Sequence, residues 1–317
     1  RFAILNQADL VFWGGMALGN TLRVAIVGYG NVGRYALKAV QAAPDMVLTG
    51  VVRRDPKMMQ PSELVGVNVV SDIRELQDTE AALLCLPTRL IPEWAERILG
   101  MGIHTVDGYD IHGELADMRQ HLHRVAQQAG SVAVISCGWD PGTNSLVRAL
   151  FELMAPRGIT YTNYGPGMSL GHTVAVKAIA GVKDALSITI PAGMGVHKRA
   201  VYVELEPGAD FSVIEKAIKS DPYFVNDETR VTQVESVQSL IDMGHGVLLE
   251  RKGVSSETDN QLLKFDIRIN NPALTAQVMT ASLRAASRQE PGCYTMLEIP
   301  IIDFLPGERE RLIRRLV

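Results

Sequence analysis

The sequence predicts an α/β protein in which a doubly wound parallel sheet is joined to a second domain of α+β type. Three observations carry this. Between residues 22 and 136, short β-branched runs alternate with segments whose apolar residues recur at helical spacing. A Gly28-x-Gly30-x-x-Gly33 cluster sits between the first such run and the first helical segment. Beyond Trp139 the texture changes to runs that alternate apolar and polar residues with period two. Strands of a parallel sheet are covered on both faces and read as continuous apolar runs, whereas an antiparallel sheet with one wet face alternates.

Each element follows from the same reasoning. Leu22-Arg23-Val24-Ala25-Ile26-Val27 reads as a buried strand, the glycine turn follows, and 34–40 reads as a helix that Pro44-Asp45 ends. Met46–Val52 is the second strand and completes a βαβ unit of about 30 residues. Residues 81–86 predict a strand closed by Pro87, Ile91–Leu99 a helix, 102–107 a strand, 111–130 a helix with a polar face, and 132–136 a further strand. That repetition is the pattern of a doubly wound sheet. In the second half, Val196–Leu205, 229–237, 247–252 and 262–269 alternate and predict an antiparallel sheet with one solvated face. A helix over 273–288 is expected to return to the first domain. The chain thus divides into an N-terminal extension (1–21), a nucleotide domain (22–138, with 272–317 returning to it) and a second domain (139–271).

Composition bounds the function. A chain of 317 residues suits two domains of about 150 each. Hydrophobic residues make up 47% and charged residues 21%, enough for a sizeable core and incompatible with global disorder. Aromatics are only 6%, so the core rests on aliphatic side chains. The formal net charge of −4 leaves no basic excess to neutralise phosphates, which disfavours a nucleic-acid partner. Cys85, Cys137 and Cys293 stand far apart with no Cys-x-x-Cys or Cys/His ligand spacing, so neither a disulfide framework nor a metal site is expected. Free thiols suit a reducing compartment, and a cytoplasmic location is expected. No stretch of about 18 uncharged apolar residues exists to span a membrane. Residues 1–21 read as a tag, a scar or upstream translated sequence; Asp9 interrupts the apolar run and no A-x-A site follows, which argues against a signal peptide.

The glycine cluster gains its meaning from context: strand before, helix after, second strand at the right distance. This is the Rossmann-type arrangement. Gly28 permits the tight turn, Gly30 lets backbone approach a pyrophosphate, and Gly33 allows close helix–strand packing. The helix N-terminus offers N–H groups and the positive end of its dipole to phosphates. The bland alternative is a glycine-rich turn with no ligand. The end of the second strand selects the cofactor. An acid about 20 residues after the glycines holds a ribose 2′-OH, but this chain has Arg53 and Arg54 there. Two guanidiniums attract a 2′-phosphate and predict NADP(H). Asp55 is the counter-observation, since a shift of one or two residues brings a carboxylate to the ribose.

A second group of motifs is polar and turn-rich: Thr105-Val106-Asp107-Gly108-Tyr109-Asp110, Cys137-Gly138-Trp139-Asp140-Pro141-Gly142, Gly165-Pro166-Gly167-Met168-Ser169-Leu170-Gly171-His172, His197-Lys198-Arg199, Gly244-His245-Gly246 and Ile269-Asn270-Asn271-Pro272. Asp110 and Asp140 each follow a predicted strand end, where open α/β sheets place ligands. Each motif has a bland reading: a helix cap for either aspartate, a turn for Gly165-Pro166-Gly167, a sheet-surface charge for Arg199. Together they describe a site that wants carboxylates and an arginine.

On Val27-Gly28-Tyr29-Gly30-Asn31-Val32-Gly33, Gly138-Trp139-Asp140-Pro141-Gly142, Gly165-Pro166-Gly167, His197-Lys198-Arg199 and Asn271-Pro272, the chain resembles the meso-diaminopimelate dehydrogenases from about residue 22 to its end. The short spacer between Pro191 and His197 resembles the subtype with a smaller substrate-domain insertion and wider D-amino-acid tolerance. The resemblance implies a homodimer in which residues 139–271 serve as substrate-binding and dimerisation domain. It implies NADP-dependent oxidative deamination of the D-centre of meso-2,6-diaminopimelate, releasing ammonia, and the reverse reductive amination, in lysine and diaminopimelate biosynthesis. It also implies residue roles. Asp110 and Asp140 would contact the D-centre amine. Tyr164 stands where some members have Trp, and Leu170 with Gly171 would lie over the substrate, Leu170 replacing a polar residue. Thr189, Arg199, His245 and Asn271 would hold the distal L-centre. Gly28, Tyr29, Gly30, Asn31, Val32, Gly33, Arg53, Arg54, Cys85, Leu86, Pro87, Thr88, Trp139, Asp140, Pro141, Gly142 and Thr143 would meet NADP(H). His172 is a further acid–base candidate, against which stands the general rule that a lone histidine is more often structural. Two alternatives remain: another NADP-linked two-domain reductase of amino-acid biosynthesis, of the dihydrodipicolinate reductase or homoserine dehydrogenase kind, and a non-catalytic NADPH sensor.

Overall fold

The computed structural model describes residues 21–56, 61–241 and 244–317. The N-terminal extension therefore lies outside the described residues, save its last position. The chain opens with β1 (Leu22–Val27), α1 (Asn31–Ala42) and β2 (Met46–Val52). A two-residue strand β3 (Val69–Val70) and β4 (Ala81–Leu84) follow, then α2 (Ile91–Leu99), β5 (His104–Asp107), α3 (Leu115–Ala129) and β6 (Val132–Ile135). The expected helix over 111–130 is shorter than its pattern. Residues 112–114 form a 3-10 turn, and regular helix starts at Leu115.

The second half runs α4 (Thr143–Met154), β7 (Arg157–Tyr164), β8 (Gly167–Met168), α5 (Leu170–Lys177), β9 (Val182–Gly193), β10 (Val196–Leu205), α6 (Phe211–Ser220), β11 (Glu228–Gln233), β12 (Gly244–Ser255) and β13 (Thr258–Asn270). Helix α7 (Asn271–Ala286), strand β14 (Gly292–Thr295) and helix α8 (Arg309–Leu316) complete the chain. Two compact units result. One holds the residues up to Leu86, Leu90–Cys137 and Ala276–Val317; the other holds Pro87–Arg89 and Gly138–Thr275.

The first unit is a seven-stranded sheet in the order β14-β6-β5-β4-β1-β2-β3, parallel throughout. The order reverses between β1 and β4, which creates the crevice where open α/β sheets take ligands. Burial explains why the strands are unbroken apolar runs. All of Ala81–Leu84 and Val132–Ile135 is buried, since helices cover both faces. Arg284 of α7, nearly enclosed, donates to Asp45 Oδ1 at 2.7 Å beside the loop into β2.

The second unit carries two sheets, β11-β10-β9-β8 and β13-β12-β7. The second is antiparallel as expected, but in the first β10 and β11 run parallel. The expectation of a wholly antiparallel sheet is corrected here. Helix α6 lies in the chain between β10 and β11 and supplies the crossover a parallel pair requires. Period-two patterning reports a half-wet face and not strand direction. From Gln261 onward β13 alternates without a break, with Leu263, Phe265, Ile267 and Ile269 turned to a small core around Trp139, Phe151, Val247 and Leu249.

Candidate active site

In the first unit, the glycine turn is held between strands: the Gly28 N–H donates to the Val52 carbonyl at 3.0 Å and the Cys85 N–H to the Val27 carbonyl at 2.8 Å. Gly28 adopts φ +95°, and a side chain there would run into the Cys85 carbonyl. A side chain at Gly33 would strike the Gly28 carbonyl. Gly30 differs, because nothing lies within 4 Å of where its Cβ would stand. It is the N-cap of α1 and supplies no side-chain cap, and the first turn holds no acid. Helix N–H groups that lack a side-chain cap, approached through a glycine facing open space, suit a pyrophosphate.

The Arg53 guanidinium lies over the Tyr29 ring at 5.9 Å. Its Nη1 and the Tyr29 hydroxyl are both buried without a hydrogen-bond partner. Buried polar groups are nearly always satisfied, so two orphans side by side at a nucleotide crevice fit an anionic group such as a 2′-phosphate. Arg54 is exposed. Burial pushes the Cys85 thiol up to about 12, so it stays protonated at neutral pH.

The same unit contains Asp107, wholly buried at the end of β5. Its Oδ1 accepts the N–H groups of Tyr109 at 2.9 Å and Ser136 at 3.2 Å, while Oδ2 has no partner. Burial raises its carboxyl to about 6. The unfolded value is about 3.9, so between those two pH values the folded state keeps a proton that the unfolded state releases. Stability from this group therefore falls as pH rises through that window, by roughly 3 kcal/mol in all. Asp107→Asn is expected to lose that fall. The check is the wild-type minus variant stability in urea at pH 4 and pH 7.

In the second unit, a polar cluster surrounds Trp139. Its indole N–H donates to Asn271 Oδ1 at 3.0 Å, and Asn271 Nδ2 donates to the Met168 carbonyl at 3.4 Å. The indole lies 4.9 Å from the His245 ring and meets Tyr164 edge-on at 6.2 Å. Asp140 accepts two donors from Arg148, at 2.9 Å on Oδ1 and 2.7 Å on Oδ2. The Tyr164 hydroxyl also donates to its Oδ2, and Asn144 reaches the same oxygen at 3.3 Å. Burial, then the Asp140 charge, raises the Tyr164 phenol, so it stays a donor at neutral pH. Nearby, Arg199 Nε donates to Asp227 at 2.6 Å and Nη1 to the Thr189 hydroxyl. The Arg199 side chain is only 10% exposed, which a sheet-surface charge would not be. Burial and the Arg199 charge depress His197 and His172, the latter to about 3.

Sequence-predicted residues thus fall into groups. Gly28 to Gly33, Arg53, Arg54, Cys85, Leu86 and Asp110 belong to the first unit. Pro87, Thr88, Trp139 to Thr143, Tyr164, Leu170, Gly171, Thr189, Arg199, His245 and Asn271 belong to the second. There Asp140, Tyr164, Trp139, His245 and Asn271 form one contact chain, and Thr189 with Arg199 forms a pair. Leu170 and Gly171 open α5, with Leu170 packed under Met168 and Leu186. His172 bonds Ser169 at 2.8 Å and packs edge-on against Tyr223 and Phe224, the environment of a structural histidine. Among the described residues no cluster of His, Cys, Asp and Glu could hold a metal, and no helix is long and apolar enough to cross a membrane.

Comparison with known proteins places this arrangement. The chain is 60% identical over 296 residues to the meso-diaminopimelate D-dehydrogenase of Bacteroides fragilis, covering 93% of this chain and 99% of that one. The chain belongs to the meso-diaminopimelate D-dehydrogenase family. A family model described as the diaminopimelic acid dehydrogenase C-terminal domain matches residues 138–196. Another, the oxidoreductase family with NAD-binding Rossmann fold, matches 22–136, so the first unit is a nucleotide-binding oxidoreductase domain. Among solved structures, Corynebacterium glutamicum DAP dehydrogenase in complex with DAP superposes with a TM-score of 0.86 at 31% identity, over 94% of this chain and all of that one. An engineered D-amino acid dehydrogenase bound to NADP+ gives 0.85 at 30%, with the same coverage.

Sequence reasoning missed Asn144, Arg148 and Asp227, as well as Thr162, whose hydroxyl accepts from Arg148 at 3.2 Å. A signal existed for two of them. Asn144 and Arg148 are four residues apart on a helix that starts just after Asp140, so they share the face turned back to its carboxylate.

Proposed function

We propose that this chain catalyses the NADP-dependent oxidative deamination of the D-centre of meso-2,6-diaminopimelate to L-2-amino-6-oxopimelate and ammonia, and the reverse reaction. The observation that carries this reading is the polar cluster of the second unit, in a chain of this family. It offers a nearly enclosed carboxylate, Asp140, and a nearly enclosed arginine, Arg199, to a substrate that bears two ammonium and two carboxylate groups.

Residue roles follow from donor chemistry. Arg199, with Thr189, His245 and Asn271, holds the distal L-centre. Fixing that end aims one Cα–H at the hydride acceptor, the proximity contribution. Asp140 Oδ1 accepts only one of the two Arg148 bonds and keeps capacity for an N–H of the reacting amine. Because Arg148 balances its charge, Asp140 orients the amine, and Asp110 takes the proton that must leave before oxidation. Leu170 and Gly171 cover the substrate, and Tyr164 holds Asp140 in place. Gly28 to Gly33 hold the pyrophosphate of NADP+, Arg53 and Arg54 its 2′-phosphate, and Cys85 to Thr88 and Trp139 to Thr143 meet the remainder. NADP+ supplies the hydride acceptor when bound. A homodimer in the cytoplasm completes the reading; the three unpaired thiols support a reducing compartment.

The direct test is absorbance at 340 nm with meso-diaminopimelate and NADP+, against the L,L isomer, and ammonia dependence in reverse. Turnover only with the meso isomer is expected. NADPH binding without turnover would mark a sensor, and ammonia-independent reduction would mark another reductase. For the cofactor, Arg53→Ala is expected to weaken NADP+ about 10- to 100-fold, the loss of one charge-assisted contact, with little change for NAD+. Equal loss for both would overturn the 2′-phosphate role.

A further inference from the structure

Asp107 takes no part in the reaction as proposed, yet it ties together the ends of two neighbouring strands. Its Oδ1 accepts the Tyr109 N–H, closing a turn two residues on, and the Ser136 N–H from just beyond β6. Its backbone carbonyl accepts the Cys137 N–H at 2.7 Å. Ser136 sits at φ +58°, a left-handed conformation that a non-glycine residue keeps only where its surroundings hold it. The Ser136 hydroxyl in turn donates to the Tyr109 carbonyl at 2.8 Å. Tyr109 is therefore held at both its N–H and its C=O. Its ring is 1% exposed, and its hydroxyl donates to Glu114 at 2.8 Å. The next residue is Asp110.

We infer that Asp107 is a positioning residue that sets the direction of Asp110 by clamping the Gly108-Tyr109 turn to the end of β6. The inference rests on the reading of Asp110 as the acid that serves the D-centre amine. A residue whose predecessor is tied at its N–H, its C=O and its hydroxyl has its backbone fixed in place, which is what a proton acceptor needs to meet one N–H of a bound amine. Neither strand pairing nor core packing requires a carboxylate at Asp107: Val106 and Val134 pair directly, and the aliphatic cluster around Ile135 and Leu84 surrounds the strands without it.

The experiment compares Asp107→Ala, Asp107→Asn, Asp110→Ala and the Asp107→Ala/Asp110→Ala double variant. Steady-state kinetics with meso-diaminopimelate and NADP+ are run beside NADP+ binding and thermal melting. Asp107→Ala is expected to lower kcat at least tenfold with NADP+ affinity within twofold of wild type. Asp107→Asn keeps an acceptor oxygen for both N–H groups and is expected to hold kcat within about threefold. In the Asp110→Ala background the second substitution is expected to add nothing, as coupled groups are non-additive. Wild-type kcat in Asp107→Ala while Asp110→Ala is impaired overturns the inference and leaves the reading of Asp110 standing. Wild-type kcat in Asp110→Ala overturns that reading, and the inference with it. Parallel loss of NADP+ affinity and melting temperature in both Asp107 variants, or full additivity in the double variant, reduces Asp107 to a general structural role and also overturns the inference.

Discussion

Arg148→Ala is expected to destabilise the protein by about 3 kcal/mol and to depress turnover of meso-diaminopimelate with it. Asp140 is only 3% exposed, and Arg148 gives it two of its donors. Removing the guanidinium leaves a buried carboxylate whose remaining donors, Tyr164 and Asn144, are neutral. Breaking a buried pair from one side costs roughly 3–5 kcal/mol, and Arg148, 28% exposed, belongs at the low end. Asp140→Asn alone strands a guanidinium that still reaches water and is expected to cost about 1 kcal/mol, near the value of an ordinary hydrogen bond. The decisive measurement is urea denaturation of Arg148→Ala/Asp140→Asn. If that double variant is more stable than Arg148→Ala, the unpaired charge was the cause. If the two losses simply add, the pair does not act as a unit. Tyr164→Phe removes one donor and is expected to fall near 1 kcal/mol as well.

Arg199→Ala is expected to lower kcat/KM for meso-diaminopimelate by a factor between about 30 and several thousand, carried mainly by KM, with NADP+ affinity unchanged. That range corresponds to the roughly 2–5 kcal/mol lost when one partner of an enclosed charge contact is deleted. Arg199 is held by Asp227 at 2.6 Å and by Thr189, so its fork is set before any ligand arrives. Lysine in its place is expected to recover little, since an ammonium cannot bond Asp227, Thr189 and a carboxylate in the same planar geometry. Thr189→Val, which removes only the hydroxyl, is expected to cost about tenfold. An unchanged KM in Arg199→Ala would remove this residue from the substrate site.

Several elements of the first unit were legible in the sequence. β1, β2 and α2 match their patterns end to end, because parallel strands buried on both faces and a helix of strong apolar period leave little ambiguity. Strands β3 and β14 escaped, the first for being two residues long, the second because Gly292-Cys293-Tyr294-Thr295 lacks the β-branched run of the others. In the second unit β10 was read correctly, while β7 and β9 were not. Arg157–Tyr164 exposes its first three residues, and Val182–Gly193 ends in Pro191-Ala192-Gly193, a turn-like sequence. The site was legible in its residue types but not in its pairings. Asp140, Arg199 and His245 stood out in motifs and Tyr164 came only from the family resemblance, yet that Arg148 closes on Asp140, and Asp227 on Arg199, follows from strand register and helix phase. Asp227, far along the chain from Arg199, carries no local signal, whereas Arg148 is betrayed only by its phase on α4.

The closure of Asp140 by Arg148 and Tyr164 also bears on how the site can change over generations. Asp140, Arg148 and Tyr164 share hydrogen bonds, so a replacement at one alters what is tolerated at the other two. Their substitutions are epistatic. In stability alone, an order that exchanges the aspartate first passes through a milder intermediate than one that loses the arginine first.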